Sequence, residues 1–241
     1  MTICVPVKQN KNGKRLPMEK SRLCIPTPKI EEDAYDWWKR HESKKEWSKN
    51  NKAKVIFFGD SNTHYWSKED GINYGEDSWD DLFAGKDVLN MGYGFDRIQN
   101  VLWHIENGEV DGQEPGLVVL LIGSNHFTVT KNYSGDTPEE TAHGIKFLAE
   151  KIHEKFPSAH LIVMELLPSG HRYDKKMAVN HILRKIIPGM PDTELIDPSA
   201  GFFDADGKPD PQFFKKDMCH LCRKGFMLWY NAIKDILEKY I

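Results

Sequence analysis

The sequence predicts an α/β protein built on a five-stranded, mostly parallel sheet with helices on both sides. Three observations point there: five short apolar runs, segments of helical period between the later ones, and small and polar residues directly after the first three runs. The runs are 54–58 (KVIFF), 87–91 (DVLNM), 117–122 (LVVLLI), 160–166 (HLIVMEL) and 194–196 (ELI). Their apolar, β-branched character suits strands covered on both faces, as in a parallel sheet.

The helices follow in chain order. Segment 30–50, with Tyr35, Trp37, Trp38 and Trp47 among many charges, reads as a helix lying across the domain. Its rings serve as buried packing area or, as the sharper alternative, as a sugar-stacking platform. Thr137-Pro138-Glu139-Glu140 offers a cap, a proline at the first helical position and a glutamate spaced for a capping box. Behind it Ile145, Leu148, Ala149, Ile152 and Phe156 recur at helical spacing until Pro157 closes the segment. A helix over 174–187 and a last one over 223–240, with Phe226, Trp229, Tyr230, Ile233, Ile236 and Leu237 on one face, complete the alternation. Residues 1–29 read as an N-terminal arm and 30–241 as a single domain, since 241 residues fill one substantial core.

Composition narrows the function classes. The net charge of −3, from 33 basic and 36 acidic residues, gives no global field for a nucleic-acid backbone or an anionic membrane. The longest apolar run, Leu117 to Ile122, falls far short of the roughly 20 residues that span a bilayer. The first 24 residues lack the apolar stretch of a signal peptide, so no export address is legible and the compartment stays open. Cys4, Cys24, Cys219 and Cys222 are read as thiols.

In a doubly wound sheet, ligands bind outside the carboxyl ends of the strands. Gly59-Asp60-Ser61-Asn62, Gly92 to Arg97, and Gly123-Ser124-Asn125-His126 therefore converge on one edge, where Asp217-Met218-Cys219-His220, just before the last helix, can join them. An alcohol needs a base to become a nucleophile, and a histidine base needs a carboxylate to fix its tautomer. Ser61, His220 and Asp217 supply one of each, while Asn125 and the backbone N–H groups of Ser61 and the 92–97 loop supply donors for an oxyanion.

VIFFGDSNTHYW, VLNMGYGFDRIQNVLWHIENGEVDG, VVLLIGSNH and DMCHL resemble, in order and spacing, the four sequence blocks of the SGNH (GDSL) hydrolase superfamily. The likeness is strongest to the platelet-activating-factor acetylhydrolase catalytic-subunit type and to bacterial carbohydrate acetylesterases, and it covers roughly 30–240. It implies a three-layer α/β/α, flavodoxin-like domain and a serine esterase mechanism without metal or other cofactor. By position it makes Ser61 the nucleophile, His220 the base, Asp217 its partner and Asn125 an oxyanion donor, with Asp60 supporting the loop. Asn62, Gly94, Arg97 and His126 are candidates to line the pocket. Relatives of this type can form homodimers.

One departure stands out. Where the second block usually carries a glycine before its acid, this chain has Phe95 before Asp96, with Gly94 behind it. The Phe95 N–H is still expected in the oxyanion hole, and its ring is expected to narrow the pocket toward short acyl groups. Arg97 is expected to pair with Asp96 or, failing that, to meet an acidic sugar. Gly92 to Arg97 lacks the third glycine of a dinucleotide fingerprint, Asp204-Ala205-Asp206-Gly207 lacks the glutamate of a calcium loop, and Cys219 and Cys222 lack a second pair for zinc. The sequence thus points to hydrolysis of a short acyl ester, on a carbohydrate first; the alternatives are a lipid or thioester acyl hydrolase and a non-catalytic relative that binds acylated glycan.

Overall fold

The computed structural model of the protein describes residues 21–241, together with the backbone of Lys8–Gln9 and Arg15–Leu16, which pair antiparallel. Cys4 and most of the expected arm lie outside the described residues. The five runs form five strands: β1 (Val55–Gly59), β2 (Val88–Gly92), β3 (Leu117–Leu121), β4 (His160–Met164) and β5 (Thr193–Ile196). They line up in the order β2-β1-β3-β4-β5, and every pairing is parallel.

Among the described residues seven α-helices surround them: α1 (Trp37–Asn50), α2 (Ser61–His64), α3 (Ser78–Phe83), α4 (Ile98–Glu106), α5 (Pro138–Lys155), α6 (Tyr173–Ile186) and α7 (Arg223–Leu237). Helices α4, α5 and α6 lie side by side in one layer, and α3 meets α7 in the other. Against the latter layer Phe57 packs its ring on Trp66, Trp79, Phe83 and Trp229, with centroids 5.6 to 6.2 Å apart. All five residues of β1 and of β3 are buried, as the unbroken apolar runs require.

Several elements differ from the sequence reading. The helix expected from residue 30 starts at Trp37, because Asp36 Oδ1 accepts from the N–H groups of Trp38 and Lys39 at 3.1 and 3.0 Å and so caps it there. Residues 26–36 instead run outside any regular element. Helices α3 and α4 are additional to the sequence reading. Residues 21–25, read as arm, lie against the domain, with Leu23 and Cys24 buried next to α4 and α5.

The expected capping box closes as the sequence suggests: Thr137 Oγ1 accepts from Glu140 N–H at 3.1 Å, and Glu140 Oε2 accepts from Thr137 N–H at 3.0 Å. Thr137→Ala removes one of these partners and is expected to lower the unfolding free energy by about 1 kcal/mol in a urea titration.

Candidate active site

Strand β1 ends at Gly59 and the chain turns at once into α2. A Cβ on Gly59 would stand 2.0 Å from Thr63 Oγ1 and 2.6 Å from Leu121 O, so only glycine lets the helix close on the strand end. Asp60 caps α2 by accepting from Asn62 N–H at 3.0 Å. It is buried, and burial pushes its acid up to about 6 against that bond and the charges at His220 and Lys176. Ser61, the first residue of α2, is thereby delivered to the carboxyl edge of the sheet.

The loop before α7 brings its partners. Asp217 Oδ1 accepts from the N–H groups of Cys219 and His220 at 2.9 and 3.0 Å, a local turn that folds both side chains the same way. Asp217 Oδ2 accepts from His220 Nδ1 at 2.6 Å, and His220 Nε2 faces Ser61 Oγ at 2.9 Å. Desolvation raises the Asp217 acid, but the His220 ring and the two backbone donors outweigh it and hold the acid below its ordinary range. Asn62 ties this loop to α2: its Oδ1 accepts from Leu221 N–H at 3.0 Å. Tyr65 and Tyr74 flank the His220 ring, with centroids at 5.3 and 5.4 Å.

The third side of the site is the 92–97 turn. Phe95 has φ 63°, the left-handed region that favours glycine, which costs a phenylalanine about 1–2 kcal/mol. Gly94 cannot be larger, since a Cβ there would lie 2.0 Å from Asp33 Oδ2 and 2.6 Å from the Tyr65 hydroxyl. Asn125 donates from Nδ2 to Asp96 O at 3.0 Å, which fixes the amide and leaves its second N–H to point elsewhere. Among the described residues, the backbone N–H groups of Ser61 and Phe95 meet no acceptor.

The structure gathers Asp60, Ser61, Asn62, Gly94, Phe95, Asn125, Asp217 and His220 around one edge and separates two other candidates from it. Arg97 has a fully buried side chain and does not meet Asp96. Its Nη2 pairs with Glu31 Oε1 at 3.1 Å, its Nε donates to Asn125 O at 3.1 Å, and its guanidinium lies 3.9 Å from the centre of the Tyr133 ring. The reason is that Asp96 turns inward, toward His104 and Trp37. His126 is likewise fully buried: Nε2 accepts from Ile98 N–H at 3.1 Å and Nδ1 donates to Asp136 Oδ2 at 2.7 Å, so it braces the loop from behind instead of lining a pocket. His64 does the same for the second turn, accepting from Gly94 N–H at 3.2 Å; burial drives its acid down to about 3, so the ring is neutral.

Sequence reasoning missed the segment 30–36. Glu31 holds Arg97 and Thr130, Asp33 accepts from Tyr65 at 2.6 Å, and the Tyr35 hydroxyl donates to Gly94 O at 3.2 Å. No spacing in the sequence ties these residues to loops that lie far along the chain. Cys219 and Cys222 are free thiols.

Comparison with known proteins adds the following. Residues 57–227 match the family model of the GDSL-like Lipase/Acylhydrolase family. The chain is 30% identical over 198 residues to the human platelet-activating factor acetylhydrolase IB subunit alpha1, covering 80% of this chain and 79% of that protein. It is 31% identical over 175 residues to the chicken alpha2 subunit, covering 71% and 70%. Among solved structures it is similar to a GDSL-like lipase from Bacteroides thetaiotaomicron, with TM-score 0.61 and 19% identity over 85% of this chain and 98% of the other. It is also similar to a mutant of an acetyl-xylooligosaccharide esterase from Geobacillus, with TM-score 0.58 and 15% identity over 77% and 94%.

The Asn62 bond is testable without any substrate. Asn62→Ala leaves the buried Leu221 N–H without its acceptor and is expected to lower stability by about 1–3 kcal/mol, read from urea unfolding.

Proposed function

The chain belongs to the GDSL-like lipase/acylhydrolase family and is a carboxylic ester hydrolase, and on that premise we propose that it cleaves short acyl esters, acetyl first, through a seryl-acyl intermediate. The observation that carries this reading is the continuous hydrogen-bonded line from Asp217 through His220 to Ser61, at 2.6 and 2.9 Å.

In this reading Ser61 Oγ attacks the ester carbonyl carbon while its proton passes to His220 Nε2. Asp217 accepts from Nδ1–H and stabilises the imidazolium. The carbonyl oxygen, now an oxyanion, accepts from the Ser61 and Phe95 N–H groups and from Asn125 Nδ2. Collapse expels the alcohol, which takes the proton from His220. A water then gives its proton to His220 as it attacks the acyl carbon, and the acid leaves as Ser61 recovers its hydrogen.

A carbohydrate-borne ester is favoured over one held in a bilayer. Among the described residues the large apolar side chains that stand exposed are Ile25, Trp38 and Val129, too few for a lipid-docking face, and no helix is long and apolar enough to cross a membrane. Trp38, 48% exposed and edge-on to Trp103 with centroids 5.7 Å apart, is the ring left free to meet a sugar. Two of the similar proteins are named for acetyl chemistry, one on platelet-activating factor and one on xylooligosaccharide. A phospholipid-type ester is therefore the second reading.

Hydrolysis of aryl esters from acetyl to decanoyl separates the readings. Turnover is expected to be highest on acetyl, absent in Ser61→Ala and reduced about 10²- to 10³-fold in kcat by Asn125→Ala; an active Ser61→Ala would refute the esterase mechanism, and a decanoyl preference would support the lipid reading. Phe95→Gly exchanges left-handed strain for about 0.4–1 kcal/mol of extra unfolded-chain entropy. It is expected to fold with near-wild-type stability and to accept longer acyl chains, and an unchanged chain-length profile would remove Phe95 from specificity. Acetate release from acetylated xylan, against none from an acetylated lysophospholipid, would place the alcohol.

A further inference from the structure

Directly behind the oxyanion turn lies a charged group that the mechanism above does not use. His104, on α4, is fully buried with a carboxylate at each ring nitrogen: Nε2 is 2.7 Å from Asp96 Oδ2, and Nδ1 is in direct contact with Glu109 Oε1. An ionised carboxylate only accepts hydrogen bonds, so a ring placed between two of them donates from both nitrogens and is positively charged. Both acids are otherwise held by donors: Asp96 by Trp37 Nε1 at 3.0 Å, Glu109 by His41 Nδ1 at 2.5 Å and by the Tyr93 hydroxyl at 2.7 Å.

His41, His104 and Glu109 have the residue types of a metal site, but not its geometry. Ligand atoms around a tetrahedral ion stand about 3.3 Å apart, whereas here the Glu109 oxygen is in hydrogen-bond contact with both rings and the second nitrogen of His104 is taken by Asp96. The charged and titratable groups around His104 come from three elements: Arg40, His41 and Glu42 on α1, Tyr93 and Asp96 on the 92–97 turn, and Glu109 after α4. The Tyr93 ring stacks on His104 with centroids 4.0 Å apart.

Asp96 connects this group to the site. Its carboxylate is pinned by His104 and Trp37, its carbonyl accepts from Asn125 Nδ2 at 3.0 Å, and its N–H donates to Tyr93 O at 3.2 Å, closing the turn in which Phe95 adopts φ 63°. A strained residue of this kind persists only where its surroundings over-determine it. We propose that His104 is a positioning residue for ester hydrolysis: its positive charge, shared by Asp96 and Glu109, holds the 93–96 turn so that the Phe95 N–H and the Asn125 amide face the substrate oxygen.

This rests on the reading of Phe95 and Asn125 as oxyanion donors, and it adds a dependence that a serine–histidine–aspartate line lacks. Desolvation lowers the His104 acid, but the Glu109 charge and the Asp96 hydrogen bond more than reverse that and push it up to about 9. A histidine whose folded pKa is raised supports the structure fully below its ordinary value and loses that support as pH rises through the folded one. Turnover therefore falls above about pH 9.

The test is kcat for an acetyl aryl ester between pH 7 and 11, corrected for spontaneous hydrolysis, in wild type, His104→Gln, His104→Arg, Ser61→Ala and Asn125→Ala. Wild type is expected to lose kcat reversibly above about pH 9 with KM nearly constant. His104→Gln is expected to lower kcat about 10²-fold at pH 7.5 and to show no basic limb, and His104→Arg, whose charge persists, to move the limb upward by more than a pH unit. A wild-type kcat that stays level to pH 10.5, or a folded His104→Gln with full kcat and the wild-type limb, overturns the proposal. If circular dichroism shows that a variant does not fold, the wild-type profile decides. An active Ser61→Ala would instead refute the esterase reading, whereas an inactive Ser61→Ala and slow Asn125→Ala beside a fully active His104→Gln would remove His104 alone.

Discussion

The site depends on how closely α2 approaches the ends of β1 and β2. Gly59 and Gly92 are paired across the two strands, and a Cβ on either would run into α2: 2.0 Å from Thr63 Oγ1 in one case, 2.2 Å from His64 N in the other. Any side chain at these positions would lift the helix off the sheet. With the helix in place, Ser61 stands at the edge, Asn62 reaches Leu221, and His64 supports Gly94 from below. Three loops far apart in the chain thus take their register from one backbone contact.

Around that contact lies an unusual density of buried charge. Arg40, on α1, bonds the carbonyls of Gly92 and Asn90 and pairs with Glu69 and Asp70, while Lys44 one turn on shares Glu69. Burial holds the Lys44 acid down to about 8, and its cationic neighbour Arg40 acts in the same direction. Buried ion pairs repay their desolvation poorly, so their contribution is to orientation more than to stability. Here they fasten α1 to the 69–71 turn and to the end of β2. Helix α1 has a polar inner stripe, Arg40, Lys44 and Ser48, four residues apart, which is why it lacks an apolar face and still packs inside.

The segment before α1 performs a related task at the mouth of the site. Through Glu31, Asp33 and Tyr35 it joins the loops after β1, β2 and β3, with hydrogen bonds to Tyr65, to Gly94 and Arg97, and to Thr130 respectively. The site is therefore walled by a stretch that precedes the sheet in sequence, and its shape depends on whether that stretch stays in place.

The sheet, its parallel sense, the α5 cap and the hydrogen-bonded Asp217–His220–Ser61 line were legible in the sequence, because each leaves a local mark. Apolar runs of three to seven residues report strands of a parallel sheet, Thr137 and Glu140 are three residues apart, and Gly-Asp-Ser and Asp-x-x-His are contiguous. Tertiary structure alone decided what each buried polar group meets. Arg97 adjoins Asp96 in sequence yet pairs with Glu31, because consecutive side chains leave the turn in opposite directions and Asp96 is claimed by His104. His104 and Glu109, five residues apart in the polar stretch 104–109, look like ordinary surface residues until α1 and Tyr93 close over them. Local periodicity shows that a residue is buried or exposed; the partner of a buried charge is fixed by desolvation, which is set only when distant segments exclude water together.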